Sequence, residues 1–354
     1  MRLDEPPWWY GGGDDFRQRA LAPLGWLYGW IAERRYRRHH PYRSRLPVIC
    51  VGNFTAGGTG KTPLSIFMAR ALIERGERPV FLTRGYGGRT AGPAWVEDVP
   101  GGAQLYGDEP LLLAGIAPTM VSRDRRAGII AIENSRREPS VVIMDDGLQN
   151  AAVTKDLSIA LVDGKRGIGN GEVIPAGPLR APLDFQISLV DLIVVRDPPD
   201  IANDERSVHA VLRRGFPGPV LAARVAPSGD NSWIEGRSLV AFAGIANPQR
   251  FYGLLERLGG QLAERVSFAD HHAFTRADAE RLIALARSSG AQLVTTEKDF
   301  ARLKGGAALA ELAAQTRTLP IEITFEAGNL LRLNALIDAA LQGVSRRHRP
   351  PPQR

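Results

Sequence analysis

The run Gly52-Asn53-Phe54-Thr55-Ala56-Gly57-Gly58-Thr59-Gly60-Lys61-Thr62 combines glycines, hydroxyls and a lysine at the spacing of a phosphate cradle. Glycines let backbone N–H groups turn inward onto phosphate oxygens, and the N-terminus of a following helix adds its dipole. In such a loop Thr55, Ala56, Gly57, Gly58, Thr59 and Gly60 surround the phosphates. Lys61 reaches the β- and γ-phosphates, and the Thr62 hydroxyl ligates Mg²⁺. Thr55 stands where the strict pattern has its first glycine, so Gly57 and Gly58 are expected to supply the turn.

A magnesium phosphate site also needs carboxylates. The apolar run Val141-Val142-Ile143-Met144 ends in Asp145-Asp146-Gly147, which puts two acids at the carboxyl end of a buried strand. In an open α/β sheet that end faces the ligand crevice, the usual place for a metal-binding acid. A second pair, Asp108-Glu109, precedes a helical pattern. It reads either as an N-cap with a first-turn acid or as a general base with a further metal contact.

The elements that must position these groups are legible as alternating patterns. Apolar runs suited to doubly covered strands fall at 48–52, 80–83, 141–144, 159–162, 192–195, 220–225, 239–243, 293–296 and 321–325. Helical patterns fall between them at 63–75, 123–136, 249–258, 276–288 and 329–341. The alternation predicts an α/β fold with mainly parallel sheets. Proline- and glycine-rich segments between 198 and 235 suggest a boundary. The expected division is an N-terminal helical region (1–45), a phosphate-binding domain (46–215), a smaller C-terminal α/β domain (216–345) and a disordered basic tail (346–354).

At 354 residues, 44% hydrophobic and 23% charged, the chain is globular and long enough for two domains. Its net charge of +7 rests on arginine, which suits nucleic acid, anionic lipid or a phosphorylated substrate. The single cysteine, Cys50, excludes an internal disulfide and a multi-cysteine metal site, and reads as a small buried strand residue in a reducing compartment.

No stretch reaches the roughly 18–20 apolar residues of a membrane span. Near the N-terminus, Leu24, Leu27, Tyr28 and Ile31 share one helical face that Trp26 and Trp30 widen, with Pro23 suited to the first turn. Arg34, Arg35, Arg37, Arg38, Arg43 and Arg45 follow. That composition fits a helix lying in a membrane interface, or a helix docked on the protein's own core with a solvated basic end.

Taken in order, these motifs resemble the tetraacyldisaccharide 4′-kinase family. The resemblance rests on the glycine-rich loop through Pro63, Arg84-Gly85-Tyr86-Gly87, Gly107-Asp108-Glu109-Pro110 and Asp145-Asp146-Gly147-Leu148-Gln149. Pro175-Ala176-Gly177-Pro178-Leu179-Arg180, Asp270-His271-His272 and Thr296-Glu297-Lys298-Asp299 complete it. It implies a P-loop α/β/α domain, a smaller C-terminal α/β domain and an amphipathic N-terminal helix. The implied activity is transfer of the ATP γ-phosphate to the 4′-hydroxyl of a tetraacylated glucosamine disaccharide 1-phosphate, with Mg²⁺, to give a lipid A precursor. By the same resemblance Asp108 is the general base paired with His271, and Lys61 and Arg180 neutralise phosphate charge. Thr62, Glu109, Asp145 and Asp146 are the metal-associated residues. A monomer on the cytoplasmic face of the bacterial inner membrane, binding lipid through the N-terminal helix and no nucleic acid, is expected. Asn150 departs from the family's histidine after Asp-Gly-Leu-Gln.

Two other readings compete. A membrane-bound regulatory ATPase would share the glycine-rich loop, but the additional lysine expected before Gly57-Gly58 is replaced by Ala56. A nucleic-acid-dependent ATPase rests on net charge alone, without stacking aromatics or a recognition helix.

Overall fold

The computed structural model describes residues 6–11, 15–198, 208, 212, 215–304 and 307–347. Most of the basic tail expected from 346 onward lies outside the described residues. The chain divides into two compact units, each assembled from separate stretches. Met1–Thr83, Asp124–Val225 and Ile323–Arg354 form the first; Arg84–Arg123 and Ala226–Glu322 form the second. The sequence suggested one linear boundary near 215. Packing instead assigns 84–123 to the unit built mainly from later residues, and returns the last helix to the first unit.

The first unit is built on strands ordered β13-β8-β7-β6-β1-β5-β2. These are β1 (Val48–Gly52), β2 (Pro79–Thr83), β5 (Val141–Asp145), β6 (Leu157–Asp163), β7 (Leu192–Arg196), β8 (Val220–Pro227) and β13 (Ile321–Phe325). From β2 to β8 every pairing is parallel. Strands β1, β2, β5, β6 and β7 are buried at every residue, which explains their uninterrupted apolar sequence. Burial also pushes the Cys50 thiol up to about 11, so the cysteine is inert packing. The chain runs from β1 to β2 and β5 on one side, then crosses to β6 on the other. The carboxyl end of β1 is therefore the switch point where such sheets take ligands.

Helix α1 (Phe16–Arg37) begins seven residues before Pro23, at an Asp15 N-cap that accepts from Arg17 N–H. Pro23 thus lies inside the helix, not in its first turn. The docked stripe is made of Gly25 and Gly29, both buried, with Tyr36 stacked edge-on against Phe185. A Cβ at Gly25 would lie 2.6 Å from the Val173 carbonyl oxygen, and one at Gly29 3.1 Å from the Pro182 ring. The apolar face stays in solvent: Leu24, Trp26, Leu27, Tyr28, Trp30 and Ile31 are all exposed, Trp26 at 72%.

The second unit holds a parallel sheet ordered β10-β9-β11-β12. Its strands are β9 (Ser238–Ala243), β10 (Gln261–Ser267), β11 (Gln292–Thr296) and β12 (Thr316–Leu319). Val240, Phe242 and Leu293 pack into one core with Leu282 and Ile283. The alternating Leu239, Ala241, Ala243 and Val294 pack into another with Phe251 and Leu255. A short antiparallel pair, β3 (Ala94–Trp95) with β4 (Thr119–Val121), belongs to the same unit. All nine strands and five helices read from the sequence form. The strands absent from that reading are β3, β4, β10 and β12. β10 is exposed at most positions and lacks an apolar run.

In a helix interior, Gly→Ala normally gains about 1 kcal/mol. Gly25→Ala is expected to lower the melting temperature instead, because its Cβ meets a carbonyl oxygen that cannot step aside; a thermal melt followed by circular dichroism checks this.

Candidate active site

Strand β1 ends at Gly52, the loop follows, and helix α2 (Lys61–Ile73) begins at its lysine. Gly57 (φ +94°) and Gly60 (φ +88°) take left-handed backbone, whereas Gly58 is not among the glycines that do. The turn is therefore made at 57 and 60, not at 57 and 58. Gly60 is also sterically required, since a Cβ there would run into the Arg196 guanidinium. Arg196, at the end of β7, is buried and paired with Asp163 at 2.6 Å. It braces the back of the loop, a role that no sequence motif announced.

The opposite side of the loop is pinned by 178–180. Ala56 N–H donates to the Pro178 carbonyl at 2.7 Å, Arg180 N–H to the Phe54 carbonyl at 2.9 Å, and Arg180 Nε to the Thr55 carbonyl at 3.0 Å. Arg180 Nη1 then reaches Asp146 Oδ1 at 2.8 Å, and Lys61 Nζ lies 3.7 Å from the same oxygen. Burial alone would raise the Asp146 carboxyl, but Lys61 and Arg180 hold it well below the usual carboxylate range. Asp145 is fully buried and accepts from Ser65 Oγ on α2 at 2.7 Å, tying the strand end to the helix behind the loop. Leu148 packs on Gly52, where a Cβ would lie 2.6 Å from its own. Gln149 Nε2 donates to the Asn53 carbonyl at 2.8 Å. Asn150 Oδ1 accepts from Ala152 N–H at 3.0 Å, a local turn contact.

Thr55 and Thr59 are buried, Gly57 and Gly58 are exposed, and Ala56, Gly60, Lys61 and Thr62 are half-buried. The Thr59 hydroxyl is buried without a hydrogen-bond partner among the described residues. An orphaned hydroxyl inside a loop where two cations converge is a donor set suited to a phosphate ester. Among the described residues no three His, Cys, Asp or Glu side chains form a ready-made cation site. Mg²⁺ characteristically takes one or two carboxylates and completes its shell with water and phosphate, so Thr62, Asp145 and Asp146 fit that ion alongside a nucleotide.

The remaining candidates lie in the second unit, on different segments. Asp108 opens the helix Asp108–Ala114, and His271 stands in a left-handed conformation (φ +57°). His271 Nδ1 is 3.1 Å from Asp108 Oδ2. An ionised carboxylate can only accept, so Nδ1 is the donor in this bond. Nε2 lies 3.3 Å from Lys298 Nζ, which also pairs with Glu109 at 3.1 Å. Tyr86 stacks edge-on against the imidazole at 5.4 Å. His272 faces away to Asp278 at 3.0 Å and stacks on Phe268.

Asp108 is buried and has a further partner, Arg302, through both Nε (2.9 Å) and Nη2. Burial pushes its carboxyl up, but the His271 hydrogen bond, Lys298 and Arg302 together hold it well below the usual range. Burial would also lower the Lys298 ammonium, but Glu109 and Asp108 raise it above its ordinary value. The sequence flagged Lys298 through its motif and missed Arg302, which lies four residues further along the short helix Glu297–Leu303.

A parallel sheet with a glycine-rich loop at its switch point, followed by a lysine-led helix, defines a P-loop nucleotide-binding protein. The profile of the family tetraacyldisaccharide-1-P 4′-kinase matches residues 17–342, and the chain belongs to that family. The tetraacyldisaccharide 4′-kinase of Paramagnetospirillum magneticum is 46% identical over 318 residues, covering 90% of this chain and 94% of its own. That of Parvibaculum lavamentivorans is 41% identical over 351 residues, covering 98% and 100%. Among solved structures, LpxK from Aquifex aeolicus in complex with ATP aligns with a TM-score of 0.69 at 26% identity, covering 92% of this chain and 99% of its own.

Gly60→Ala forces a side chain into left-handed backbone, at about 1–2 kcal/mol, and into Arg196. ATP affinity is expected to fall about tenfold or more, while Gly58→Ala has a smaller effect; titration with a fluorescent ATP analogue compares the two.

Proposed function

We propose that this chain transfers the γ-phosphate of ATP to the 4′-hydroxyl of a tetraacylated glucosamine disaccharide 1-phosphate, forming a tetraacylated lipid A precursor. The observation that carries this reading is the pairing of Asp108 with His271 inside a unit separate in composition from the phosphate loop. A hydrolytic switch needs only to orient a water molecule, whereas an acceptor hydroxyl calls for a dedicated proton-accepting pair. The regulatory ATPase reading has no such feature to support it.

In the first unit, Lys61 and Arg180 draw negative charge off the transferring phosphoryl group, and backbone N–H groups of 57–60 hold the phosphates in place. Thr62, Asp145 and Asp146 would hold Mg²⁺, which neutralises phosphate charge when bound. In the second unit, Asp108 takes the hydrogen bond of the attacking hydroxyl while His271 orients the carboxylate. Transfer of a phosphoryl group through a loose transition state asks little of the base, so a carboxylate of low basicity suffices.

The exposed tryptophans and tyrosine of α1, beside Arg34, Arg35, Arg37 and Arg38, support a helix lying in the interface of an anionic membrane. Docking through glycines rather than through the apolar face leaves that face for lipid. No described helix is long and apolar enough to cross a bilayer. Peripheral attachment at the cytoplasmic face of the inner membrane and a monomeric chain complete the proposal.

With γ-labelled ATP and detergent-dispersed tetraacyldisaccharide 1-phosphate, label is expected in the lipid. Asp108→Asn should cut turnover about 10²–10⁴-fold, and Lys61→Ala should cut it comparably. Label appearing only as inorganic phosphate, independent of the disaccharide, would favour the regulatory ATPase. Trp26→Glu with Trp30→Glu is expected to abolish co-sedimentation with anionic liposomes and leave ATP affinity unchanged; sedimentation equal to the parent protein would refute the membrane role of α1.

A further inference from the structure

Arg302 is the most enclosed cation of the second unit's polar cluster, and every arm of its guanidinium is committed. Nε and Nη2 donate to Asp108 Oδ2, while Nη1 donates to Asp299 Oδ1 at 2.6 Å and to the Gly244 carbonyl at 2.8 Å. Asp299 is completely buried; its other oxygen accepts from Thr296 Oγ1 at 2.7 Å and from Gly244 N–H at 3.1 Å. Gly244 is thus held on both sides of its α-carbon, at the end of β9. Its carbonyl also accepts the N–H of His271 at 3.1 Å.

These contacts close a ring around the pair. Arg302 grips Asp108 directly, and through Gly244 it shares an anchor with the His271 backbone. A non-glycine residue in left-handed backbone costs on the order of 1–3 kcal/mol and persists only where its surroundings over-determine it. Here the surroundings include the Gly244 carbonyl on the main chain and Asp108, Lys298 and Tyr86 around the ring. Arg302 and His271 together occupy Oδ2 of Asp108, whereas Oδ1 accepts only the neighbouring Glu109 N–H at 3.1 Å among the contacts described. The fork geometry of a guanidinium can hold two carboxylates and a carbonyl in one plane; an ammonium cannot.

We propose that Arg302, seated by Asp299 and the Gly244 carbonyl, is a positioning residue for the phosphoryl transfer. It occupies Oδ2 of Asp108 and so presents Oδ1 to the acceptor hydroxyl, and it holds His271 in register through Gly244. This inference rests on the reading of Asp108 as the residue that receives the hydroxyl. No covalent step is added; Arg302 acts through Asp108 and Gly244.

The test uses the full chain with detergent-dispersed acceptor and ATP, comparing Arg302→Ala, Arg302→Lys, Asp299→Asn and Asp108→Asn. Misplacing a catalytic group by about 1 Å costs about 10²-fold in rate, so Arg302→Ala is expected to lose about that much kcat. Its KM for ATP should stay within about twofold of the parent's, since the phosphate loop is untouched. Guanidinium chloride, well below denaturing concentration, should restore part of the kcat of Arg302→Ala and none of that of Asp108→Asn. Asp299→Asn should lose less than Arg302→Ala, because Gly244 still seats the fork.

Arg302→Ala removes the guanidinium shared by two buried carboxylates, so Arg302→Lys carries the kcat comparison if the alanine variant does not fold. Lysine keeps the charge and loses the fork, and the expected result is again a kcat loss with ATP KM preserved. Arg302 variants that turn over at the parent rate, with Asp108→Asn inactive, would overturn the positioning role alone. Full turnover by Asp108→Asn would overturn the assignment of Asp108 and this inference with it.

Discussion

A carboxylate partly or wholly withdrawn from water must be matched by donors, and that requirement organises both polar clusters of this protein. In the first unit the matched acid is Asp146, ringed by Lys61 and Arg180. In the second it is Asp108, ringed by His271, Lys298 and Arg302. Each acid stays ionised because its cations outweigh its desolvation. The surrounding backbone serves that arrangement. Segment 178–180 lies along the loop so that Arg180 can reach Asp146, and the stretch 84–123 packs with 226–322 so that Asp108 can meet partners far away in sequence.

The same logic separates groups that look equivalent on paper. Asp145 and Asp146 are neighbours, yet one faces Ser65 of α2 and the other faces the cations of the loop, because β5 ends at Asp145 and the backbone turns at Asp146, which takes a left-handed φ of +51°. His271 and His272 part in the same manner. One joins the acid pair, and the other completes the N-terminal cap around Thr275 and Asp278. Residue type alone assigns neither division; the direction of the backbone does.

Helix α1 shows close packing overruling hydrophobic patterning. An apolar helical face ordinarily turns toward the core. Here the core approaches so closely that only glycine fits, with the Val173 carbonyl and the Pro182 ring against Gly25 and Gly29. The bulky residues are thereby turned outward, onto a surface whose tryptophans and arginines suit a lipid interface. Pattern recognition found the amphipathicity and could not say which face would be covered.

The sequence by itself determined the parallel α/β character, the nine principal strands, the phosphate loop with Lys61, the acids at the end of β5 and the motif order that marks the family. These are local signals: apolar run length, glycine spacing and a lysine at a helix start follow from a few consecutive residues. Tertiary structure alone decided that 84–123 packs with the later unit, that the loop turns at Gly57 and Gly60, and that Arg196 and Arg302 brace the two clusters. The short strands and helices of the second unit escaped notice because their stability comes from packing rather than from periodicity. Arg302 was invisible for a related reason. An arginine becomes informative only when two buried carboxylates and a carbonyl converge on its guanidinium, and that convergence joins positions 108, 244 and 299, which no local pattern connects.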